Sequence, residues 1–574
     1  MSTNAGIIHA IARAGRFVAA FVAFVAFVAL VVIGGCTFGP GIDRTPSSTS
    51  TPPPLPHNGD PLTTALASEA RRLTQGEIDR TLRDVLVEPS QAGTRLLGTD
   101  KFTPYDNDYT TQASSSALAD SLEGLSIDVT TRALASPDSR AVIIPCTPSA
   151  PDDAACFDQV VRTVGKRMLR RPLSDDEVAT YHAFLPFAVE QSPFYTTSFD
   201  TAVELALRAF LMDPEFLFRI EVGTPTGEDG VVQLSAYEIA TRMSYFLWAS
   251  APDDALYADA DAGHLDDADA RRTVAERMLS DEKAKEQMAR FHAMWLGYRA
   301  IPTPADVAVL FSQETNALLD RVIFDEKRDY LDVFTFDQTF VDDSLADLYG
   351  LPHPATSPGW VSYDGTDRAG ILSQGAVLAS FSKFTDTSPT QRGILVRNRL
   401  LCLPILPPPP TVNVDQPPAP DGSIVCKKDR YLAHTASTSC NSCHSQMDPI
   451  GFGLENYDIE GRFRTHDDGL PDCAIDGNGE LPGYGTFHGP KELAQKLVDN
   501  SLVGPCFVQQ LTSFENGRPL TSDEQSVVSA WDESFESGDA TTVRRLDQLL
   551  LAKVTGTQFV SKREPTTSST GVSP

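Results

Sequence analysis

An unbroken apolar run near the N-terminus constrains this chain most, because it decides in which compartment the rest of the chain folds. Residues 17–33 are apolar throughout, Arg13 and Arg16 precede them, and Gly34-Gly35-Cys36 follows. A positive flank, an apolar stretch and small residues are typical of a secretory signal. The alternative is an uncleaved transmembrane helix, for which 17 residues is the short end of the range. We predict a signal peptide over residues 1–35 and a chain that folds outside the cytoplasm.

The residues around Cys36 predict how the exported chain is held at the membrane. Ile33-Gly34-Gly35-Cys36 resembles a bacterial lipobox, whose cysteine is diacylated and becomes the mature N-terminus. More than one acyl chain anchors a protein stably. Residues 36–61 are rich in Ser, Thr and Pro and read as a tether. We expect an envelope protein bound to the membrane through lipid on Cys36, in the outer membrane or on the periplasmic face.

The charge balance excludes one class of partner. The chain carries a formal net charge of −30. Nucleic acids are bound largely through Lys and Arg contacts to phosphates, so we exclude nucleic acid as a partner. An acidic surface can steer a basic redox partner, and it also simply keeps an exported protein soluble.

Helix signals dominate the rest of the sequence and predict a mainly α, multidomain chain. Four capping boxes mark helix starts, at Thr74…Glu77, Ser174…Glu177, Ser235…Glu238 and Thr521…Glu524. Prolines concentrated at residues 404–420 predict an extended linker. The predicted helical domains are 62–145, 146–230, 231–403 and 496–561, with a cytochrome c-like helical region at 421–495 that contains a CxxCH motif, and a disordered tail at 562–574.

The nine cysteines divide into three groups. Of nine cysteines, Cys36 is assigned to lipid, and Cys440 and Cys443 belong to the CxxCH motif. Six remain for disulfides, which form and persist outside the cytoplasm: Cys146, Cys156, Cys402, Cys426, Cys473 and Cys506. Cys146 and Cys156 are the best single pair, across a short loop. The other four allow three connectivities, between which the sequence does not choose.

The segment Cys440-Asn441-Ser442-Cys443-His444 has the form of a c-type haem attachment site. Each thiol can form a thioether to one vinyl group, and His444 then becomes the proximal ligand of the iron. His466 and His488 are the candidates for the distal ligand. A dithiol or structural disulfide is the main alternative, and zinc is disfavoured because no second CxxC exists. Arg462 and Arg464 are candidates for the haem propionates, or are simply solvated.

Several longer segments resemble one family. They include RRLTQGEIDRTLRDVL at 71–86, RRPLSDDE at 170–177, LSAYEIATRMSYFLWASAPDDAL at 234–256, TFVDDSLADLYGLP at 339–352, SPTQRGILVRNRLLCLPILPPPP at 388–410, CNSCHSQMDPIGFGLENYDIEGRFR at 440–464 and NGRPLTSDE at 516–524. Together they resemble the large exported cytochrome c-like proteins of planctomycetes and myxobacteria, built from serial domains of unknown function. The resemblance implies a mainly helical chain and the haem motif, and no substrate.

These observations leave three functional hypotheses. The first is an exported lipoprotein with one covalently attached haem c that transfers electrons at the cell envelope. The second is a haem-dependent oxidoreductase of a peroxidase or dehydrogenase type. The third is a haem-free surface binding or scaffold protein whose CxxC pair is a structural disulfide. A redox partner protein is expected under the first hypothesis.

Overall fold

The structure is a computed structural model, and it describes residues 60–112, 114–191, 197–383, 386–408, 422, 425–436, 438–539 and 541–564. The predicted signal peptide, Cys36, most of the tether, most of the proline-rich linker and most of the tail lie outside these residues. No helix in the described part of the chain is both long and apolar enough to cross a membrane.

The part of the chain before residue 300 is mainly helical, with short strands between the helices. Its α-helices are α1 Gln75–Leu86, α2 Ala92–Leu96, α3 Ser116–Ala135, α4 Pro137–Ile143, α5 Ala154–Leu169, α6 Asp175–Tyr181, α7 Phe199–Met212, α8 Pro214–Leu217, α9 Ala236–Trp248, α10 Asp254–Asp261, α11 Ala268–Leu279 and α12 Glu282–Trp295. Its strands are β1 Arg71–Arg72, β2 Phe218–Arg219, β3 Thr224–Pro225 and β4 Val231–Gln233.

The part after residue 300 continues with helices and a set of hairpins. Its α-helices are α13 Ala305–Asp320, α14 Asp332–Thr335, α15 Asp343–Tyr349, α16 Gly375–Ser380, α17 Pro389–Ile394, α18 Lys427–His434, α19 Thr438–Phe452, α20 Gly489–Asp499, α21 Gly504–Asn516, α22 Gln525–Glu536 and α23 Leu546–Thr555. Its strands are β5 Gln338–Val341, β6 Gly359–Ser362, β7 Ser382–Lys383, β8 Asp386–Thr387, β9 His466–Asp467, β10 Leu470–Ala474, β11 Asn478–Leu481, β12 Gly485–His488 and β13 Ser561–Arg563. A mainly α chain was expected and is confirmed.

The strands pair antiparallel in small sheets. The pairs are β1–β2, β5–β6, β7–β8, β9–β10 and β11–β12, and β4 lies between β3 and β13 in a three-stranded sheet. Ser561 therefore lies opposite Gln233, more than 300 positions away in the sequence. Lys562 and Arg563, which were predicted to belong to the disordered tail, thus pair with Val232 and Val231 in this sheet.

The four predicted capping boxes are present. Three of them start α1, α6 and α9, and the fourth, at Thr521, starts a 3₁₀ turn over residues 522–524 that leads into α22. In each box the glutamate accepts a hydrogen bond from the backbone N–H of the capping residue, which satisfies a donor that the helix itself leaves unpaired.

Two hydrophobic cores organise the helices. One is built from residues between Leu73 and Ala251, mainly on α1, α3, α5 and α7. The other is larger and combines residues from α9 to α16 with residues from α19 to α23. Residues on both sides of the proline-rich linker contribute to this second core, so burial of apolar surface joins the two parts of the chain.

Candidate functional site

The CxxCH residues lie on the first turns of α19. Cys440, Cys443 and His444 are spaced at i, i+3 and i+4, so their side chains share one face of the helix. All three are partly exposed. A group held by both thiols would therefore lie on the same face of α19 as His444.

Asp448 orients the His444 ring. The Nδ1–H of His444 donates to Oδ2 of Asp448 at 2.9 Å, one helical turn further on. The Asp448 side chain is only 3% exposed, and its Oδ1 accepts a hydrogen bond from the Thr390 hydroxyl at 2.7 Å. Metal-ligating histidines characteristically donate their second nitrogen to a carboxylate in this way, which fixes the ring and increases the basicity of the ligand.

Two glycines bring Thr390 to Asp448. A Cβ added at Gly451 would lie 1.8 Å from the Pro389 carbonyl oxygen, and one added at Gly393 would lie 1.9 Å from the carbonyl oxygen of Met447. Helices α17 and α19 therefore touch backbone to backbone, as only glycine permits. This contact positions the hydroxyl that binds the Asp448 carboxylate, and the sequence alone did not indicate it.

A network of buried charged side chains lies near the C-terminal end of α19. The Arg392 guanidinium, 1% exposed, donates to the carbonyl oxygens of Leu454 and Tyr457 at 2.6 and 2.7 Å. Burial lowers the pKa of Arg392. Glu455 lies between Arg392, Lys427 and Arg464, whose nitrogens approach its carboxylate at 3.4, 3.4 and 3.2 Å. This network attaches α17 and α18 to the segment that follows α19.

The two arginines considered for haem propionates have different surroundings. Arg464 is 10% exposed and belongs to the ion network through Glu455. Arg462 is about half exposed and pairs with Glu460 and, at 3.6 Å, with Asp458. Arg464 is thus already committed to a protein carboxylate, and Arg462 is the more accessible of the two.

The two distal-ligand candidates lie on the hairpins that follow α19. His466 is exposed on β9, where its Nδ1 accepts a hydrogen bond from the Thr465 hydroxyl at 2.9 Å. His488 ends β12, and its Nε2 lies 3.5 Å from Oδ2 of Asp367. Either histidine as the distal ligand stays a prediction.

The six remaining cysteines form three disulfides, as expected. Cys146 pairs with Cys156, Cys402 with Cys506, and Cys426 with Cys473. The first pair was expected from its spacing, whereas the other two required the tertiary structure. Neither Cys440 nor Cys443 belongs to these three bonds. Cys426–Cys473 connects the start of α18 to β10 and so braces the surroundings of the CxxCH helix.

A buried acid that the sequence did not single out lies in the larger core. Glu314 on α13 accepts hydrogen bonds from the hydroxyls of Thr339 and Tyr349 at 2.5 and 2.8 Å, with the Tyr363 hydroxyl at 3.4 Å. Burial raises the pKa of Glu314 to about 7, although these hydrogen bonds and the charge of Arg368 act in the opposite direction. The strongest available signal was the position of a glutamate on the apolar face of a helix.

Elsewhere in the described chain, no three His, Cys, Asp or Glu side chains come together as a metal-ion site. Fold and site together define a class: a mainly helical, disulfide-bonded, multidomain chain with one CxxCH motif on a braced helix.

Three segments of the chain match known protein families. Residues 156–221 match the family PSD5, described as "Protein of unknown function (DUF1595)". Residues 234–351 match PSD4, "Protein of unknown function (DUF1592)", and residues 368–467 match PSCyt3, "Protein of unknown function (DUF1588)". The chain thus carries three such domains in series, which confirms the serial organisation expected from its motifs. No curated protein and no solved structure matches it.

Proposed function

We propose that this chain is an exported, lipid-anchored protein that carries one covalently attached haem c and transfers electrons at the cell envelope. Cys440 and Cys443 would form the thioethers, and His444 would be the proximal ligand. Cys36 would carry the lipid. A redox partner protein would dock near α19. When bound, the haem supplies one-electron redox chemistry.

One observation carries the proposal. The hydrogen bond between His444 Nδ1 and Asp448 holds the imidazole as carboxylates hold metal-ligating histidines. The two thiols lie on the same helix face and are partly exposed, so they are accessible to an attachment system. A structural disulfide would give the Asp448–Thr390 arrangement no purpose, because it needs no oriented imidazole.

The same observation supports a second candidate, a haem-dependent oxidoreductase. A carboxylate on the proximal histidine increases the electron density that the ligand donates, which stabilises oxidised iron and lowers the reduction potential. Such tuning serves oxidative chemistry at an iron with an open position as well as it serves electron transfer. The two candidates differ in spin state, since a distal ligand such as His466 or His488 gives low-spin iron and an open position gives high-spin ferric iron.

The decisive experiment is expression of the whole chain in a host with a cytochrome c maturation system. Haem staining on a denaturing gel is expected for the wild type and for Ser442→Ala, a change between the two thiols. It is expected to be absent for Cys440→Ser combined with Cys443→Ser. Colourless wild-type protein whose mass equals polypeptide plus lipid would overturn the proposal and leave the scaffold hypothesis.

A second variant tests the role of Asp448. Asp448→Asn keeps the side-chain volume and removes the negative charge beside His444, so the midpoint potential should rise while covalent haem is retained. Equal potentials in the two proteins would show that Asp448 serves only the packing of α19 on α17. Cys36→Ser is expected to move the protein from the membrane to the soluble fraction.

A further inference from the structure

A cleft of about 590 Å³ opens between the segment that matches PSD5 and the one that matches PSD4. Its walls come from the end of α5, from β2 and β3, and from the start of α9. Ile220 and Val222 border it and are 46% and 69% exposed. The volume lies within the range of small-molecule sites, about 300–1,000 Å³, and such sites are frequent between domains.

Most charged side chains that line the cleft are bonded within the protein. Arg170 donates to the carbonyl oxygens of Met168 and Phe216, both at 3.2 Å. Arg171 forms ion pairs with Glu177 and Glu215 at 2.8 and 2.9 Å.

The two other carboxylates of the cleft are likewise engaged. Glu238 accepts hydrogen bonds from the backbone N–H groups of Val222 and Ser235 at 2.5 and 2.7 Å. Glu221 pairs with Arg242 at 2.6 Å. These groups are satisfied without a ligand.

Arg219 is the exception. It is 8% exposed, and its Nε is buried without a hydrogen-bond partner. Its guanidinium stacks on the face of Tyr245 at 4.9 Å, and within the described chain its side chain forms neither a hydrogen bond nor an ion pair. A buried guanidinium left in this state is costly, because its five donors are adapted to carboxylate or phosphate oxygens.

Arg219 is also one of several charged groups around Glu221. Arg71, Arg219 and Arg242 all act on Glu221, and together they hold its pKa down to about 2 despite burial. Three guanidinium groups thus act on one buried carboxylate, and Glu515 and Glu238 also act on Arg242. Burial, together with repulsion from Arg219 and Arg242, lowers the pKa of Arg71 to about 10. A carboxylate in the cleft would give Arg219 the hydrogen bonds that the protein does not supply.

We propose that the cleft binds a small molecule with one carboxylate, which pairs with the Arg219 guanidinium while an apolar portion lies against Ile220 and Val222. The planar fork of arginine matches a carboxylate through two parallel hydrogen bonds. A dianionic phosphate fits less well, because Glu215, Glu221 and Glu238 also line the walls. The inference is independent of haem, since none of these residues lies in the CxxCH region.

The test uses a matched pair of probes, N-acetyl-leucine and its uncharged amide, titrated into the whole chain by calorimetry. Wild type should bind the acid at least tenfold more tightly than the amide. Arg219→Gln should lose that preference, and Arg219→Lys should retain part of it. Arg162→Gln, which changes an exposed arginine paired with Asp175 outside the cleft, should bind as the wild type does.

Thermal unfolding separates binding from structure. Because the buried Arg219 side chain lacks hydrogen-bond partners, Arg219→Gln should raise the melting temperature of the ligand-free protein and abolish the rise that N-acetyl-leucine causes. A lowered melting temperature of the free variant with an intact response to the acid would overturn the inference. So would equal binding of acid and amide, tighter binding of inorganic phosphate than of the acid, or no response of the wild type to either probe.

Discussion

The buried glutamate on α13 predicts an unusual dependence of stability on pH. Glu314 is fully buried, and burial raises its pKa from 4.5 to about 7. In the unfolded chain the same group ionises near its ordinary value. Between these two values the folded protein therefore holds a proton that the unfolded chain has released, so folding becomes less favourable as the pH rises.

The magnitude follows from the two pKa values. Each pKa unit is worth about 1.4 kcal/mol, so the shift of Glu314 from 4.5 to about 7 is worth about 3 kcal/mol. The penalty is absent below pH 4.5, grows between pH 4.5 and 7, and is constant above. Thr339 and Tyr349 donate to different oxygens of Glu314. Glu314→Gln keeps the volume and one acceptor oxygen, presents an N–H donor where protonated Glu314 presents its O–H, and cannot ionise. The variant should match the wild type near pH 4.5 and exceed it by about 3 kcal/mol at pH 8.

The assay is denaturant unfolding of both proteins at pH 4.5 and pH 8. Unfolding is monitored with a signal that reports on the larger core. Glu123→Gln, which changes an exposed glutamate on α3, is the matched control and should show the wild-type pH dependence. If Glu314→Gln loses stability by the same amount as the wild type between the two pH values, then Glu314 ionises in the folded state at no cost. The reasoning from burial would then fail.

Two further predictions concern the packing of the site and a long-range disulfide. Gly451→Ala should destabilise the protein by about 1–3 kcal/mol, because the new Cβ would lie 1.8 Å from the Pro389 carbonyl oxygen. Gly124→Ala is the control, because a Cβ at this helical glycine would have nothing within 4 Å; it should stabilise the protein by about 1 kcal/mol. If thermal unfolding ranks the two variants in the opposite order, the packing argument is wrong. Replacing Cys402 and Cys506 with Ala removes a disulfide between residues 104 positions apart. By the chain-entropy model, the free energy of unfolding should fall by about 4–5 kcal/mol. An unchanged denaturant midpoint would show that the unfolded chain is already compact.

Features of the site that depend on a few neighbouring residues could be predicted from the sequence. The CxxCH motif was recognisable from five consecutive residues, and α19 carries Cys440, Cys443 and His444 on one helix face. The distance between Cys146 and Cys156 predicted their bond. The Asp448–Thr390 hydrogen bond was not predictable in the same way, because it joins residues 58 positions apart.

The sequence by itself determined the helical character of the chain and the starts of the capped helices, because each depends on neighbours a few positions away. Tertiary structure alone decided the partners of Cys402 and Cys426, the burial of Glu314 and the unpaired guanidinium of Arg219 in its cleft. The reason is physical. Hydrogen-bond spacing and capping act within one helical turn, whereas desolvation and charge pairing depend on which distant segments the cores bring together.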